Sequence, residues 1–467
     1  MNSLDKFKKY MITEFLAEVA PLVADHAEGA TLTDAAGRTY VDAFAGISVC
    51  NAGHNNPEVV AAARAQLGKL VHCGTYLLPH APAADLAELL AEITPTAPQP
   101  RAAVPHPTSQ PGACPPDVEK AAVPHRLIKT FFGNSGAEAN EAAMRLVRQA
   151  TGKRGFVALD GAFHGRTLAT LSISGLPSRK VGGGPYLPDV AFLPAPYCYR
   201  CALGLKPESC NLACAAALEE KIKSASDGGV AAMFAEPVQG EGGIIVPPKG
   251  WFPAIKKMLE RHGVLLVVDE VQTGFGRTGS MFAIEAEGVE PDIITLGKGI
   301  ADGFPLSAMV TRPDIAAAFH PGDHLSTFGG NPICCAAALA TIRFYQREKL
   351  PAQAARKGAW LMAELRRRLG NNPRVGEVRG RGLMIGVELV ERAVPSALSN
   401  AAPPDAVLAR KVVTNCRERG VLIGLGGAGG NVLRIQPPLV ISDDQLAQVA
   451  DTVVSALGGF PAAARQA

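Results

Sequence analysis

The chain has 467 residues, of which 47% are hydrophobic and 19% are charged, a composition that is ordinary for a globular enzyme. This length exceeds what one hydrophobic core usually holds, so we expect one large domain with a smaller companion. The formal net charge of +3 is small and the charges are dispersed, which argues against nucleic acid or a membrane surface as the partner.

The N-terminal stretch MNSLDKFKKYMITEF has no apolar segment of the kind that a secretory signal requires. No apolar run in the sequence reaches the roughly 20 residues of a membrane span. We therefore expect a cytoplasmic protein, and we expect its ten cysteines to be reduced thiols.

The first part of the chain carries a hairpin pattern, GATLTDAAGRTYVDAFAG at residues 29–46. We assign residues 1–75 to a segment that packs with a small C-terminal domain, residues 76–345 to a large domain and residues 346–467 to the small domain. Residues 96–126 are rich in proline and lack periodicity, which predicts a surface insertion in the large domain.

The large domain alternates apolar strands with amphipathic helices. Four segments are typical of a strand followed by a loop: GFVALDGAFHGRT, AAMFAEPVQGEGG, VLLVVDEVQTGFG and IITLGKGIADGFP. Helical patterns lie between the strands and end at glycines such as Gly152 and Gly263. This alternation, with continuously apolar strands, predicts an α/β fold whose mostly parallel sheet is covered on both faces.

After about residue 350 the pattern changes to that of an α+β domain. A long helical segment precedes VGEVRGRGLMIGVELV, which predicts a strand pair interrupted by Gly380 and Gly382. Ser442 and Gln445 form a predicted capping box at the start of the last helix.

Polar groups follow the strands of the large domain directly, at residues 163–166, 236–241 and 269–272 and at Lys298. In open α/β sheets, functional groups gather at the carboxyl ends of the strands. We therefore expect these groups to form a single site.

Asp269 ends the apolar run VLLVVD, where a carboxylate loses hydration and needs a partner. Lys298 follows another apolar strand between Gly297 and Gly299, which let a ligand approach the backbone. A lysine that forms a Schiff base with pyridoxal phosphate and an aspartate that pairs with the pyridinium nitrogen are complementary groups of this kind. We expect Gln272 to donate a hydrogen bond to the phenolate oxygen of the same ring.

The phosphate of such a cofactor needs a site of its own. Ser135, Gly136 and Ala137 stand where a helix is predicted to begin, in FFGNSGAEANEAAMRLVRQA. Free backbone N–H groups and the helix dipole favour a phosphate there. Serine with glycine also caps many ordinary helices, so this assignment depends on the lysine and aspartate nearby.

The chain resembles the class III pyridoxal-phosphate aminotransferases, the group that contains acetylornithine, ornithine and 4-aminobutyrate aminotransferases. The resemblance covers nearly the whole chain and rests on motifs in family order: GNSGAEANEAAMRLVR, GAFHGRTLATLS, EPVQGEGGIIVP, VVDEVQTGFGRTGSMFA, PDIITLGKGIADGFPLSA, STFGGNPICCAAALA, VRGRGLMIGVEL and LRIQPPLVISDDQL. It implies the fold-type I architecture, pyridoxal 5'-phosphate as cofactor, and a homodimer with active sites at its interface.

The resemblance also implies a role for each matching residue. Lys298 matches the Schiff-base lysine, Asp269 the pyridinium partner and Gln272 the group near the phenolate. The remaining cofactor contacts that it implies are the phosphate turn and two further residues, namely Ser135, Gly136 and Ala137, then Thr327, which reaches the phosphate in the neighbouring subunit, and Phe163, which stacks on the ring. His164 has no matching role, and we expect it to pack around the site.

On the substrate side, Arg166 resembles the residue that holds the carboxylate remote from the reacting amine. Arg434 resembles the residue that takes the α-carboxylate of glutamate or 2-oxoglutarate, since the planar guanidinium suits carboxylates. Glu241 matches the glutamate that pairs with this arginine when an ω-amino acid is bound, and we expect Glu236 to support the site. Ile47 matches a pocket position at which an aliphatic side chain suits a methylene chain.

The segment YCYRCALGLKPESCNLAC departs from the family pattern. Its cysteines, Cys198, Cys201, Cys210 and Cys214, are spaced so that four thiolates could close around a structural zinc ion. We expect packed free thiols and no metal, with zinc as the alternative.

The sequence thus predicts a transaminase that moves an amino group from a 4-aminobutyrate-like donor to 2-oxoglutarate through ping-pong half-reactions. An acetylornithine or ornithine aminotransferase, a decarboxylating transaminase and an amino-acid racemase are alternatives that share Lys298 and the fold. A regulatory module that binds the cofactor without catalysis is disfavoured, because no basic DNA-binding arm precedes the domain.

Overall fold

The computed structural model describes residues 1–16, 18–95, 127–391 and 401–458. The predicted proline-rich insertion at residues 96–126 lies outside the described residues. Within the described ranges, no helix combines the length and the apolar character that crossing a bilayer demands.

The strands, numbered in chain order, are β1 (Ala24–Glu28), β2 (Thr31–Asp34), β3 (Thr39–Asp42), β4 (Lys129–Gly133), β5 (Gly155–Leu159), β6 (Val190–Leu193), β7 (Val230–Ala235), β8 (Leu265–Asp269), β9 (Ile293–Leu296), β10 (Ser307–Thr311), β11 (Val375–Arg381), β12 (Met384–Leu389), β13 (Val421–Leu422), β14 (Gly424–Gly426) and β15 (Val432–Ile435).

The α-helices are α1 (Ser3–Tyr10), α2 (Ala45–Ser48), α3 (Pro57–Leu67), α4 (Ala81–Ile93), α5 (Gly136–Thr151), α6 (Leu168–Ser172), α7 (Ala213–Ala216), α8 (Leu218–Ser224), α9 (Trp251–Arg261), α10 (Pro313–Ala316), α11 (Pro332–Arg347), α12 (Leu350–Leu369), α13 (Ala406–Glu418) and α14 (Asp443–Gly458). Short 3-10 helices cover Pro177–Arg179, Ala283–Glu287 and Lys298–Ile300.

A seven-stranded sheet in the order β4-β10-β9-β8-β7-β5-β6 forms the centre of the large domain. Strands β9, β8, β7, β5 and β6 are parallel, whereas β10 runs antiparallel to both of its neighbours. Every residue of β5, β7, β8 and β9 is buried, as their continuous apolar runs require when helices cover both faces. The predicted mostly parallel α/β sheet is confirmed.

Two four-stranded sheets flank this core. One has the order β1-β2-β3-β13 and the other β11-β12-β15-β14. In the first, β13 from the C-terminal part pairs in parallel with β3 from the predicted N-terminal hairpin, with Val421 opposite Val41. The N-terminal segment therefore shares a sheet with the C-terminal part, while the boundaries at residues 75/76 and 345/346 stay a prediction.

Helix ends follow the predicted local chemistry. The Ser135 hydroxyl caps α5 by accepting from Glu138 N, and Gly152 ends the helix with φ 68°, a left-handed conformation that glycine adopts at low cost. Ser442 and Gln445 exchange the two 3.1 Å hydrogen bonds of a capping box before α14. Helix α1, which was not predicted, buries none of its residues.

Candidate active site

A cavity of about 460 Å³ opens at the carboxyl edge of the central sheet. The loops after β4, β5, β7, β8 and β9 supply most of its lining, because the carboxyl ends of parallel strands meet at one edge. The cavity brings together eleven of the predicted site residues: Ile47, Ser135, Gly136, Ala137, Phe163, Arg166, Glu236, Glu241, Asp269, Gln272 and Lys298. Arg434 lies behind this lining, and Thr327 lies outside it.

Asp269 is the last residue of β8, and its carboxylate is buried. Three donors face it. Asn140 Nδ2 lies 2.8 Å from Oδ2, His164 Nδ1 lies 2.8 Å from the same oxygen, and Val271 N donates to Oδ1 at 3.0 Å. These donors offset the lost hydration of the carboxylate.

Two of these donors were not predicted as site residues. His164 was expected to pack around the site, and it does line the cavity; in addition its Nδ1 bonds Asp269, a contact that was not predicted. Its fully buried ring loses hydration, which lowers the pKa, but the hydrogen bond and charge of Asp269 outweigh this effect and raise it. Asn140 also bonds the carbonyl of His164, and its own oxygen accepts from Thr295 Oγ1 at 2.9 Å.

Lys298 follows β9 and begins a single 3-10 turn with φ 46°. Its surroundings lower the pKa of the ammonium group, chiefly by desolvation and also through the charge of Arg434, while Asp269 acts in the opposite direction. In the amide orientation that satisfies both neighbours, the Gln272 oxygen accepts from Lys298 Nζ at 3.3 Å and from Arg434 Nη2 at 3.2 Å. Lowering of its pKa favours the neutral amine, the form in which a lysine acts as a nucleophile or accepts a proton.

Two further buried carboxylates shape the backbone around the cavity. Glu236 accepts from Phe163 N at 3.0 Å and from Gly240 N at 2.9 Å, so it joins the loops after β5 and β7. Glu270 accepts from Ile284 N at 2.8 Å and from the Thr273 hydroxyl. Burial raises the pKa of each of these carboxyls to about 7.

The start of α5 forms one end of the cavity, which Ser135, Gly136 and Ala137 line. The first N–H groups of a helix have no partners within it, and because Glu138 N donates to the Ser135 hydroxyl, those of Gly136 and Ala137 remain. A Cβ on Gly136 would lie 2.7 Å from Val271 Cγ1, so only glycine fits there without a shift. An anion at this end would meet free donors and the positive end of the helix dipole.

Glu241 in the cavity lining forms a charged cluster with two arginines outside the lining, and we call this cluster the gate: Arg179, Glu241 and Arg434. Arg434 on β15 is almost completely buried, and its Nη1 donates to Glu241 Oε2 at 2.6 Å. Arg179 Nη2 donates to Glu241 Oε1, also at 2.6 Å. Glu241 lines the cavity and thus stands between its interior and Arg434.

The mouth of the cavity carries the other predicted substrate contacts. Arg166 is exposed, and its guanidinium lies 5.4 Å from the centroid of the Phe163 ring. Ile47 lies in a tight turn that Asp42 holds by accepting from the backbone N–H groups of Phe44 and Ala45. The expected cross-subunit residue, Thr327, is exposed and separate from the cavity of its own chain.

The four cysteines at 198, 201, 210 and 214 line one small cavity away from this site. They are free thiols, as are the other five cysteines of the described ranges. Where the structure describes the chain, no group of three or more His, Cys, Asp or Glu side chains is arranged to hold a metal ion. The expectation of packed free thiols and its zinc alternative both stay predictions. Cys334 and Cys335 are buried in α11.

The arrangement fits pyridoxal phosphate at three points. The carboxylate of Asp269 is placed for a protonated ring nitrogen, the amine of Lys298 for an aldehyde carbon, and the glycine-lined start of α5 for the phosphate. His164 Nε2, which is buried and has no hydrogen-bond partner in the described structure, lies on the side away from Asp269. These groups suit reactions in which a proton is moved at the carbon that bears an amine.

A sequence profile of the family described as aminotransferase class-III matches residues 16–457. Acetylornithine aminotransferase of Methanothermobacter thermautotrophicus is 38% identical, over 94% of this chain and 93% of its own length. Leucine/methionine racemase of Thermococcus litoralis is 37% identical over 94% and 91%, and 4-aminobutyrate aminotransferase of Mycobacterium tuberculosis is 38% identical over the same shares. The structure is also similar to that of an (S)-enantioselective omega-transaminase from Thermomicrobium roseum, with TM-score 0.83, 34% identity and coverage of 98% and 99%.

Proposed function

We propose that this chain, which belongs to the class III aminotransferase family, moves an amino group from a 4-aminobutyrate-like ω-amino acid to 2-oxoglutarate. The enzyme depends on pyridoxal phosphate, as members of this family do. When bound, this cofactor supplies an electron sink for the negative charge that develops at the substrate carbon. The proposed reaction has two half-reactions, one with the amino donor and one with the oxo acid.

In both half-reactions the same groups handle protons. Lys298 Nζ, whose pKa is lowered chiefly by desolvation, takes a proton from the substrate carbon and returns one later. Asp269 would hold the proton of the cofactor's ring nitrogen, and His164 and Asn140 fix its carboxylate. Phe163 and Val271 add apolar surface to the cavity lining.

The observation that carries the choice of substrates is the Arg434–Glu241 ion pair behind the cavity wall. An ω-amino donor has no carboxylate beside its amine, so Arg434 would face uncharged methylenes and needs Glu241 as its partner. A 2-oxoglutarate molecule brings its own α-carboxylate and can replace Glu241. The ion pair therefore suits an enzyme that must accept both kinds of substrate at one site.

The other features of the site support the same choice. Arg166, which is exposed and lines the cavity, would hold the carboxylate remote from the reacting amine, and aliphatic Ile47 suits the methylene chain between the two ends. The similarity to a 4-aminobutyrate aminotransferase is in line with this assignment. The similarity to an acetylornithine aminotransferase keeps that substrate as the second candidate. A racemase does not need to bind both carboxylates of a dicarboxylate substrate, so the gate argues against racemisation.

We also propose that the working unit is a homodimer. Thr327 is exposed and separate from its own cavity, as a residue that reaches a neighbouring cofactor phosphate would be. Apolar side chains nearby are exposed as well, with Leu325 at 60% and Phe328 at 63%. A second copy of the chain would cover this surface.

Separate half-reactions test the proposal. In Arg434→Ala, the half-reaction with 2-oxoglutarate should lose roughly 2–5 kcal/mol of stabilisation, while that with 4-aminobutyrate should lose far less. Stopped-flow absorbance of the bound cofactor measures each one, with the exposed Arg410→Ala as the control. Equal losses in both would refute the substrate assignment. Continued turnover of an L-amino acid alone would establish a racemase, because a transaminase stops after one half-reaction.

A further inference from the structure

Arg179 belongs to the gate, although it neither lines the cavity nor takes part in the proposed chemistry. It ends the short 3-10 helix Pro177–Arg179 and donates to Glu241 Oε1. Because Arg434 donates to Glu241 Oε2, each carboxylate oxygen has an arginine of its own. The two cations differ in burial: the side chain of Arg179 is 39% exposed, whereas that of Arg434 is 1% exposed.

This difference in burial matters when the gate opens, that is, when a substrate carboxylate replaces Glu241 as the partner of Arg434. A substrate carboxylate that binds Arg434 deprives Glu241 of one partner, and a partly buried carboxylate without a cation is costly. Arg179 stays beside Glu241 in that state. Its exposed position also lets the Arg179–Glu241 pair shift toward solvent without leaving a charge buried alone.

The electrostatics of the resting gate are in line with this arrangement. Burial raises the pKa of Glu241, but Arg434 and Arg179 together outweigh it, so the pKa lies below its ordinary value. Desolvation lowers the pKa of Arg434, and the positive charge of Arg179 lowers it further. Arg179 therefore competes with Arg434 for the same carboxylate.

We propose that Arg179 is a specificity-determining residue that retains Glu241 when a substrate α-carboxylate takes Arg434, and so favours substrates with two carboxylates. This inference rests on the proposed function. Arg179 lowers the free-energy cost of opening the gate. With Arg179 present, Glu241 keeps one cationic partner when Arg434 binds the substrate, whereas without Arg179 it would keep none. A substrate with a single remote carboxylate leaves the gate closed and does not depend on Arg179.

Equilibrium binding to the holoenzyme tests the idea without turnover. Glutarate carries two carboxylates and no amine, and pentanoate carries one carboxylate on the same chain length. In Arg179→Ala, titration calorimetry should show glutarate bound about tenfold more weakly and pentanoate within about twofold of the parent. Arg179→Lys should recover part of the glutarate affinity, and Arg410→Ala should change neither ligand.

The same Arg179 substitution in a Glu241→Gln variant separates the retention of Glu241 from a general attraction of anions by Arg179. In Glu241→Gln no carboxylate needs a retaining partner, so adding Arg179→Ala should change glutarate binding by less than about twofold. The same tenfold loss in both backgrounds, or no loss in either, would overturn the role of Arg179. If Arg434→Ala left glutarate binding unchanged, the proposed carboxylate seat itself would fail, which is a different result from a failure of Arg179 alone.

Discussion

The floor of the cavity, defined as Asn140, His164, Asp269 and Lys298, differs from the gate in how its polar groups are held. The carboxylate of Asp269 accepts from three donors, two of which are the side chains of Asn140 and His164. Asn140 also bonds the His164 carbonyl and the Thr295 hydroxyl. Glu241 in the gate is instead shared between two arginines from distant parts of the chain. The floor thus has one arrangement of hydrogen bonds, whereas the gate has a built-in alternative.

This difference matches what the proposed function asks of each region. In that function the proton chemistry is common to both half-reactions, so its groups would gain from fixed geometry. Recognition would have to distinguish a substrate with one carboxylate from a substrate with two, so its groups would have to change partners. Floor variants should therefore affect both half-reactions equally, and gate variants should affect them unequally.

A buried arginine–glutamate pair does not by itself make a gate. Arg379 donates to Glu388 at 2.7 Å, to Glu377 at 2.9 Å and to the Gly243 carbonyl at 3.1 Å. The side chain of Glu388 is 1% exposed, compared with 19% for that of Glu241. Glu388 is also shared with a second arginine, Arg200, whose side chain is 21% exposed. Neither Arg379 nor Glu388 lines the cavity that Glu241 lines, and Arg379 holds the backbone beside Glu241 in position.

The largest effect is expected for Lys298→Ala. The variant should fold and still bind pyridoxal phosphate, but without the amine at residue 298 turnover should fall by more than about a thousandfold in both half-reactions. Lys257→Ala, which removes an exposed lysine of α9, is the matched control. Single-turnover absorbance follows each half-reaction, and ordinary activity in either of them would show that Lys298 is misassigned.

Asp269→Asn should have the next largest effect. The amide cannot hold a proton on the ring nitrogen, and its NH2 group would face donors that now point at a carboxylate. We expect a loss of roughly a hundred- to ten-thousandfold in kcat, since about 1.4 kcal/mol corresponds to tenfold in rate. The loss should be the same in both half-reactions, and a variant within a few-fold of the parent would contradict the role of Asp269.

His164→Ala should give a smaller loss of the same kind. It removes one donor to Asp269 and leaves Asn140 Nδ2 and Val271 N in place. We expect roughly a ten- to hundredfold decrease in kcat, about what one hydrogen bond to a charged group is worth. His164→Asn, which can restore a donor, should recover part of the activity. A loss confined to one half-reaction would break the division between floor and gate.

Much of the floor is predictable from the sequence because it depends on local order. Apolar runs that end in a charged residue place Asp269 and Lys298 at the carboxyl edge of a parallel sheet without knowledge of contacts. The Ser135 cap and the Ser442–Gln445 box are equally local.

Contacts between distant residues are harder to predict from the sequence. His164 lies 105 residues before Asp269, Asn140 lies 129 residues before it, and Arg179 lies 62 residues before Glu241. The sequence separation within each of these pairs gives no indication that the two side chains are in contact. The position of His164 directly after Phe163, in the loop that follows a strand of the same parallel sheet as Asp269, was the one signal available.

The smallest catalytic effect is expected for Glu270→Gln, next to Asp269 in sequence but outside the floor. Burial raises the pKa of Glu270 to about 7. Protonated Glu270 therefore contributes fully to the free energy of unfolding below about pH 4.5, the ordinary pKa of a glutamate. This contribution is lost as the pH rises to about 7. The parent should thus lose stability across this window, and Glu236, whose pKa is also about 7, should act in the same direction.

The amide in Glu270→Gln cannot ionise, yet it can still accept from Ile284 N and donate to the Thr273 hydroxyl. The variant should therefore lose less stability than the parent between pH 5 and pH 7.5, by on the order of 1 kcal/mol or more. Urea unfolding at several pH values measures this difference. Both half-reactions should stay within about twofold of the parent, since Glu270 bonds only structural groups. Parallel pH profiles for parent and variant would show that Glu270 is already ionised in the folded protein, and a large catalytic loss would extend the floor to this second carboxylate.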